Sequence, residues 1–180
     1  RRGVDETQVG MGLLVHYSFP DETELANGVA TLAKPHNSYA IDLVSQPGAV
    51  SVTNPDTAAN PEVADVAIYE WSDGSDIYVY FDQYADLLPL GATVLQTSED
   101  TSEDEYQILA TYLKAAADTF EATTGITNNY ILDFEYKKIS DWGLVIKQIR
   151  QIPTNDSGKD NPTFLLDEGV SLCVFQGEYG

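Results

Sequence analysis

The stretch YILDFEYKKISDWGLVIKQIRQ, residues 130–151, decides how this chain is read. Two strand-like segments, Tyr130 to Lys138 and Leu144 to Gln151, are joined by Ile139-Ser140-Asp141-Trp142-Gly143, which predicts a hairpin. Successive side chains of a strand point to opposite faces, so Ile131, Asp133 and Glu135 share one face and Leu132, Phe134 and Tyr136 the other. The two carboxylates then stand roughly 7 Å apart, backed by an apolar face that anchors the strand. The same period puts Leu144, Ile146, Gln148 and Arg150 on one face of the second segment. Asp133, Glu135, Gln148 and Arg150 can therefore converge on one surface. Carboxylates suit Mg²⁺, an amide oxygen can join them, and a guanidinium stabilises charge on a transferring phosphoryl group. The plainer reading is a half-exposed hairpin in which Arg150 is a salt-bridge partner for alternating acids. Lys137, Lys138, Lys147 and Arg150 supply four of the nine cations. That concentration suits an anionic ligand and equally suits charge balancing of an acidic surface.

Upstream of the hairpin, Thr97 to Glu105 is polar and acidic, with Thr101 or Ser102 as expected N-caps. Ile108, Leu109, Tyr112, Leu113, Ala116 and Phe120 then recur at helical spacing, predicting an amphipathic helix over 103–123 that Gly125 closes. The first half reads as short strands: Val9 to Tyr17, then a turn at Asn27-Gly28 before Val29 to Leu32, then Tyr39 to Ser45 and Val50 to Thr53. Ala67 to Trp71 and Asp76 to Phe81 flank Ser72-Asp73-Gly74-Ser75, a second expected hairpin. The class is α+β, a mostly antiparallel sheet with one long helix. Residues 1–153 form one unit and 154–180 a C-terminal extension or linker.

The chain of 180 residues carries 29 Asp+Glu against 9 Lys+Arg, a formal net charge of −20. So acidic a surface argues against nucleic acid or an anionic membrane, which need a basic face. With 43% hydrophobic residues there is material for one real core. One cysteine and two histidines cannot make an internal disulfide or a four-ligand zinc site of the usual kind. No run of 18 apolar residues predicts a membrane span. The first residues lack a signal-peptide stretch and an initiator Met, so the chain is expected to be a piece of something longer, and its compartment and oligomeric state stay open.

Taken in order, Met11 to His16, Ala26 to Thr31, Val50 to Pro55 with Pro61-Glu62, and above all Asp133-x-Glu135, Gly143 and Gln148-Ile149-Arg150 carry a likeness. Over roughly residues 4 to 153 the chain resembles the PEP/pyruvate-binding domain of the phosphoenolpyruvate synthase and pyruvate phosphate dikinase family. The resemblance implies the C-terminal half of an ATP-grasp domain, with Mg²⁺ and ATP as cofactors and a pyruvate-type acceptor reached through domains not in this chain. It implies that Asp133 and Glu135 hold the metal, that Gln148 and Lys147 bind the nucleotide, and that Arg150 contacts the transferring phosphoryl group. Glu135 and Gln148 are one residue further apart than the family's spacing, so an insertion is expected in the turn around Asp141-Trp142, and a register slip would exchange Lys147 for Gln148 on the inner face. Ala33-Lys34-Pro35 stands where the family carries an Arg-Asn-Pro-like segment. The N-terminal half of the grasp, with its ATP-binding Lys and Arg, precedes residue 1, so the chain alone should not complete the family reaction. The alternative is an acidic, non-catalytic binding or structural module, favoured by a net charge that repels ATP. His16 and His36 read as structural or loop histidines, Cys173 as a small buried side chain, and Asp73-Gly74-Ser75-Asp76 as a turn.

Overall fold

Apolar residues at every second position make a strand that buries one face, and five of the six strands follow this rule closely. The computed structural model describes residues 18–35, 38–52, 59–71 and 74–152. Within them the chain runs β1 (Glu24–Ala33), β2 (Ser38–Pro47), β3 (Glu62–Trp71), β4 (Gly74–Gln83), α1 (Glu105–Thr124), β5 (Ile131–Ile139) and β6 (Gly143–Ile152). The strands form one sheet of order β4-β3-β2-β1-β5-β6 in which every neighbouring pair is antiparallel. The helix packs on one face, over a core that includes Leu32, Ile41, Val66, Ile68, Leu132 and Phe134. The α+β class with a mostly antiparallel sheet is therefore the observed architecture.

The helix starts later than its sequence suggests, at Glu105, because Asp104 rather than Thr101 or Ser102 is the N-cap: its Oδ1 accepts from Gln107 N at 3.0 Å. Gly125 closes it in the left-handed conformation, φ 74°, and its amide donates to Glu121 O. Leu109 and Leu113 face the core as expected, but Tyr112 is exposed and Tyr106 takes its place inside. Both predicted hairpins form, β3–β4 and β5–β6.

Asn27-Gly28 is not a turn but lies inside β1, opposite Gln46 and Ser45. The reason is packing from another strand. The Tyr136 ring of β5 crosses Gly28, and a Cβ built there would lie 2.5 Å from the ring. Asn27 turns its amide to the opposite side, where Nδ2 donates to Gly48 O and Val50 O and pins the turn after β2. Residues 50–52 belong to no strand. Val9 to Tyr17, His36, Thr53 to Pro55, Asp73, Cys173 and the segment 154–180 lie outside the described residues. No described helix is long and apolar enough to cross a membrane.

Candidate functional site

The face of the sheet away from α1 carries the predicted residues, and a bulge puts them there. β5 and β6 pair Asp133 with Arg150, Phe134 with Ile149 and Glu135 with Gln148; the register then shifts and resumes at Tyr136 with Ile146. Lys147 is the extra residue. Across the bulge the alternation of β6 changes phase. Leu144, Ile146 and Ile149 therefore pack towards the core, while Gln148 and Arg150 stand on the open face beside Asp133 and Glu135. The expectation that Leu144 and Ile146 share a face with Gln148 and Arg150 is corrected, yet the four polar groups do share one surface. The additional residue between Glu135 and Gln148 is absorbed by this bulge and not by the turn at Asp141-Trp142.

Sharing a face does not leave these groups uncommitted. Arg150 Nε donates to Asp133 Oδ2 at 2.6 Å. Lys137 Nζ donates to Glu24 Oε1, a carboxylate almost wholly buried at the start of β1. Lys138 points to the other side of the sheet and pairs with Glu105 of α1 at 2.6 Å. The basic cluster of the sequence is thus divided between two faces. Lys147 sits 5.1 Å from the centroid of the Phe19 ring. Burial, and then the ammonium of Lys137, hold its pKa below the ordinary lysine value.

Lys147 and Glu135 line a cavity of about 200 Å³ together with Glu24, Asn27, Lys137 and Ser51. Asp133, Gln148 and Arg150 stand outside that lining. Two lysines facing two glutamates make a near-neutral recess, smaller than the roughly 300–1,000 Å³ of pockets built for drug-sized ligands. Glu24 is the participant that sequence reasoning missed. It lies 113 positions from Lys137, and a bulge between Glu24 and Ala26 turns it to the open face.

For a metal, Asp133 and Glu135 offer two carboxylates on one face, the first already engaged by Arg150. Among the described residues no group of three or more His, Cys, Asp or Glu side chains could hold an ion. The pair suits only a Mg²⁺ that brings its own waters and phosphates, since one or two carboxylates are enough for that mode of binding.

Two further features belong to the same sheet. Its open face carries a row running through all six strands, Tyr80, Asp65, Asp42, Thr31, Asp133 and Arg150, with Asp42 and Asp65 directly opposite one another. On the helix side Glu62 is fully buried, accepting from Tyr106 Oη at 2.5 Å and from Val94 N at 2.8 Å. Burial pushes its carboxyl pKa up, against the pull of those two hydrogen bonds. Glu62 ties the segment before α1 to the sheet and faces no cavity of the open side.

Comparison of the chain with protein-family models, curated proteins and solved structures finds no match.

Proposed function

We propose that this chain is an acidic, non-catalytic binding module. The mutual engagement of Asp133 and Arg150 carries the reading: the guanidinium meant for a phosphoryl group is spent on the carboxylate meant for a metal. Lys137 and Lys138 are likewise paired with Glu24 and Glu105. Arg150 remains well exposed, so its pair contributes only about 0–1 kcal/mol and balances charge more than it stabilises. What the open face presents is a broad, acidic sheet surface with tyrosines at one edge. Such a surface binds by complementarity without making or breaking bonds.

A second reading keeps one observation in its favour. Asp133, Glu135, Gln148 and Arg150 share a face, with Lys147 beside Glu135 in a small cavity. This is the arrangement that half of an ATP-grasp site from a phosphoenolpyruvate synthase-like phosphotransferase would present to Mg²⁺-ATP. In that case the nucleotide binds only when the other half of the grasp is present.

Titration calorimetry separates the two. Mg²⁺-ATP should give no saturable heat with this chain or with a chain extended at its N-terminus. A saturable isotherm in either, abolished by Glu135→Gln while the melting temperature holds, overturns the module reading in favour of the half-site.

A further inference from the structure

We propose that the groove between β4 and α1 receives an extended peptide that adds to the sheet as a seventh strand, its apolar residues alternating with lysine or arginine. This rests on the binding-module reading and names the partner's chemistry. β4 ends the sheet, ten residues long, without a proline or a lysine to blunt it. An edge strand offers a row of outward amides and carbonyls, and natural proteins usually guard so long a one. Beside it the fold leaves a groove of about 700 Å³. The edge of β4 from Ser75 to Tyr78 forms one wall, and Gln107, Ile108, Thr111 and Tyr112 of α1 form the other. An edge strand facing a helix across an open channel is the geometry of strand addition, in which main-chain hydrogen bonds give affinity and alternate side chains give specificity.

The alternation of an incoming strand fixes what those side chains must be. Residues turned towards the helix meet Ile77, Ile108 and Tyr112, so they are apolar. Residues turned to the open face meet the side of β4 that carries Asp76, Tyr78 and Tyr80, with both tyrosine rings exposed. Among the described residues no lysine or arginine lines the groove, and the exposed Glu99, Asp100 and Glu103 stand in the loop that leads into its helical wall. Carboxylates and exposed tyrosine faces select cations. A second copy of this chain is the wrong partner. Antiparallel self-pairing of β4 about Val79 would set Asp76 opposite Asp82 twice over, between two molecules that each carry a net charge of −20.

The test uses an acetylated, amidated peptide of four valine-lysine repeats, titrated at physiological salt, where screening acts beyond about 8 Å. Binding is followed by fluorescence anisotropy and by amide NMR shifts of the protein. The same peptide with a fully N-methylated backbone keeps every charge and side chain but cannot pair. Saturable binding with shifts centred on residues 75–80 is expected. It should weaken by at least about tenfold for the N-methylated peptide and for Thr111→Arg, a change at an exposed position that puts a like charge in the groove without touching the core. Equal affinity for both peptides, shifts centred elsewhere, or dimerisation of the protein through this groove in sedimentation overturns the proposal. No peptide binding beside a silent Mg²⁺-ATP titration overturns the groove assignment alone, whereas a saturable nucleotide isotherm overturns the reading beneath it.

Discussion

At the scale of single residues, the interior is set by a few side chains whose partners lie far away in sequence. Gly28 shows this best. Paired with asparagine in front of a β-prone run, it has the composition of a hairpin turn, and only the Tyr136 ring lying across it explains why it sits in mid-strand. The same ring shares a buried hydrogen bond of 2.5 Å with Ser45 on the strand beyond. Tyr136 therefore cannot withdraw without leaving two hydroxyls unsatisfied. Gly28→Ala puts a methyl into ring atoms that have nowhere to go, and an overpacked core costs about 1–3 kcal/mol. We expect a loss of that size in urea unfolding, and in the background of Tyr136→Leu, itself destabilising because it leaves the Ser45 hydroxyl unpaired, the alanine should cost much less. An alanine variant as stable as wild type would mean that the ring moves freely and that the glycine is there for some other reason. Glu62 was equally hidden from the sequence, where it enters only beside Pro61 in the family likeness. Its burial depends on Tyr106 and Val94 arriving from elsewhere in the chain.

At the scale of elements, the strands that alternate cleanly, β2 and β5 among them, were legible because period-2 burial is written locally. The buried stripe of α1 was legible only in part: period 3.6 picks out Leu109 and Leu113, but not Tyr106, Ala110 and Ala117, and it misplaces Tyr112. The helix start was not, since Asp104 and Ser102 are equally good caps on paper and the choice falls to the fold around Ser98, whose amide also bonds to Asp104. The candidate site was half legible. Its four residues do share a face, but through a bulge, because a spare residue in β6 changes the phase of everything N-terminal to it. This makes Lys147 dispensable in a way no other residue of β6 between Leu144 and Arg150 is, its neighbour Gln148 aside. Deleting it leaves Ile146 towards the core and Gln148 towards the open face, joined by a regular ladder. We expect the deletion variant to fold, with a cooperative melt and near-wild-type circular dichroism, while the local twist and the Lys147–Phe19 contact are lost. Deleting Glu135 from β5, where there is no residue to spare, turns core side chains outward and should leave the protein unfolded. A Lys147 deletion that unfolds as completely would show that the bulge itself carries the hairpin.

At the scale of the whole molecule, 29 carboxylates on a chain of 180 residues must be placed somewhere, and the open face holds some of them at closer quarters than stability favours. Asp42 and Asp65 lie directly opposite on adjacent strands, an arrangement that repels. Desolvation, and then the charges of Asp82 and Asp42, raise the Asp65 pKa above its ordinary value. A group whose folded pKa is raised in this way binds its proton more tightly in the native state. Ionised Asp65 therefore detracts from stability at neutral pH, and that penalty lifts as the pH falls through the raised value towards the ordinary aspartate range. Glu62, also raised, acts in the same direction. Asp65→Asn should accordingly raise the melting temperature at neutral pH and low salt. The gain should shrink on acidification into the ordinary aspartate range, as wild-type Asp65 takes up its proton, and also in about 1 M salt, where the screening length is near 3 Å. Removing any distant surface carboxylate would give the general salt effect, since the net charge falls by one in either case. Asp65→Asn must therefore exceed an exposed control such as Asp141→Asn at low salt. If the two variants melt together at every salt concentration, the facing carboxylates repel no more than any others, and the acidity of this face is a property of the surface as a whole.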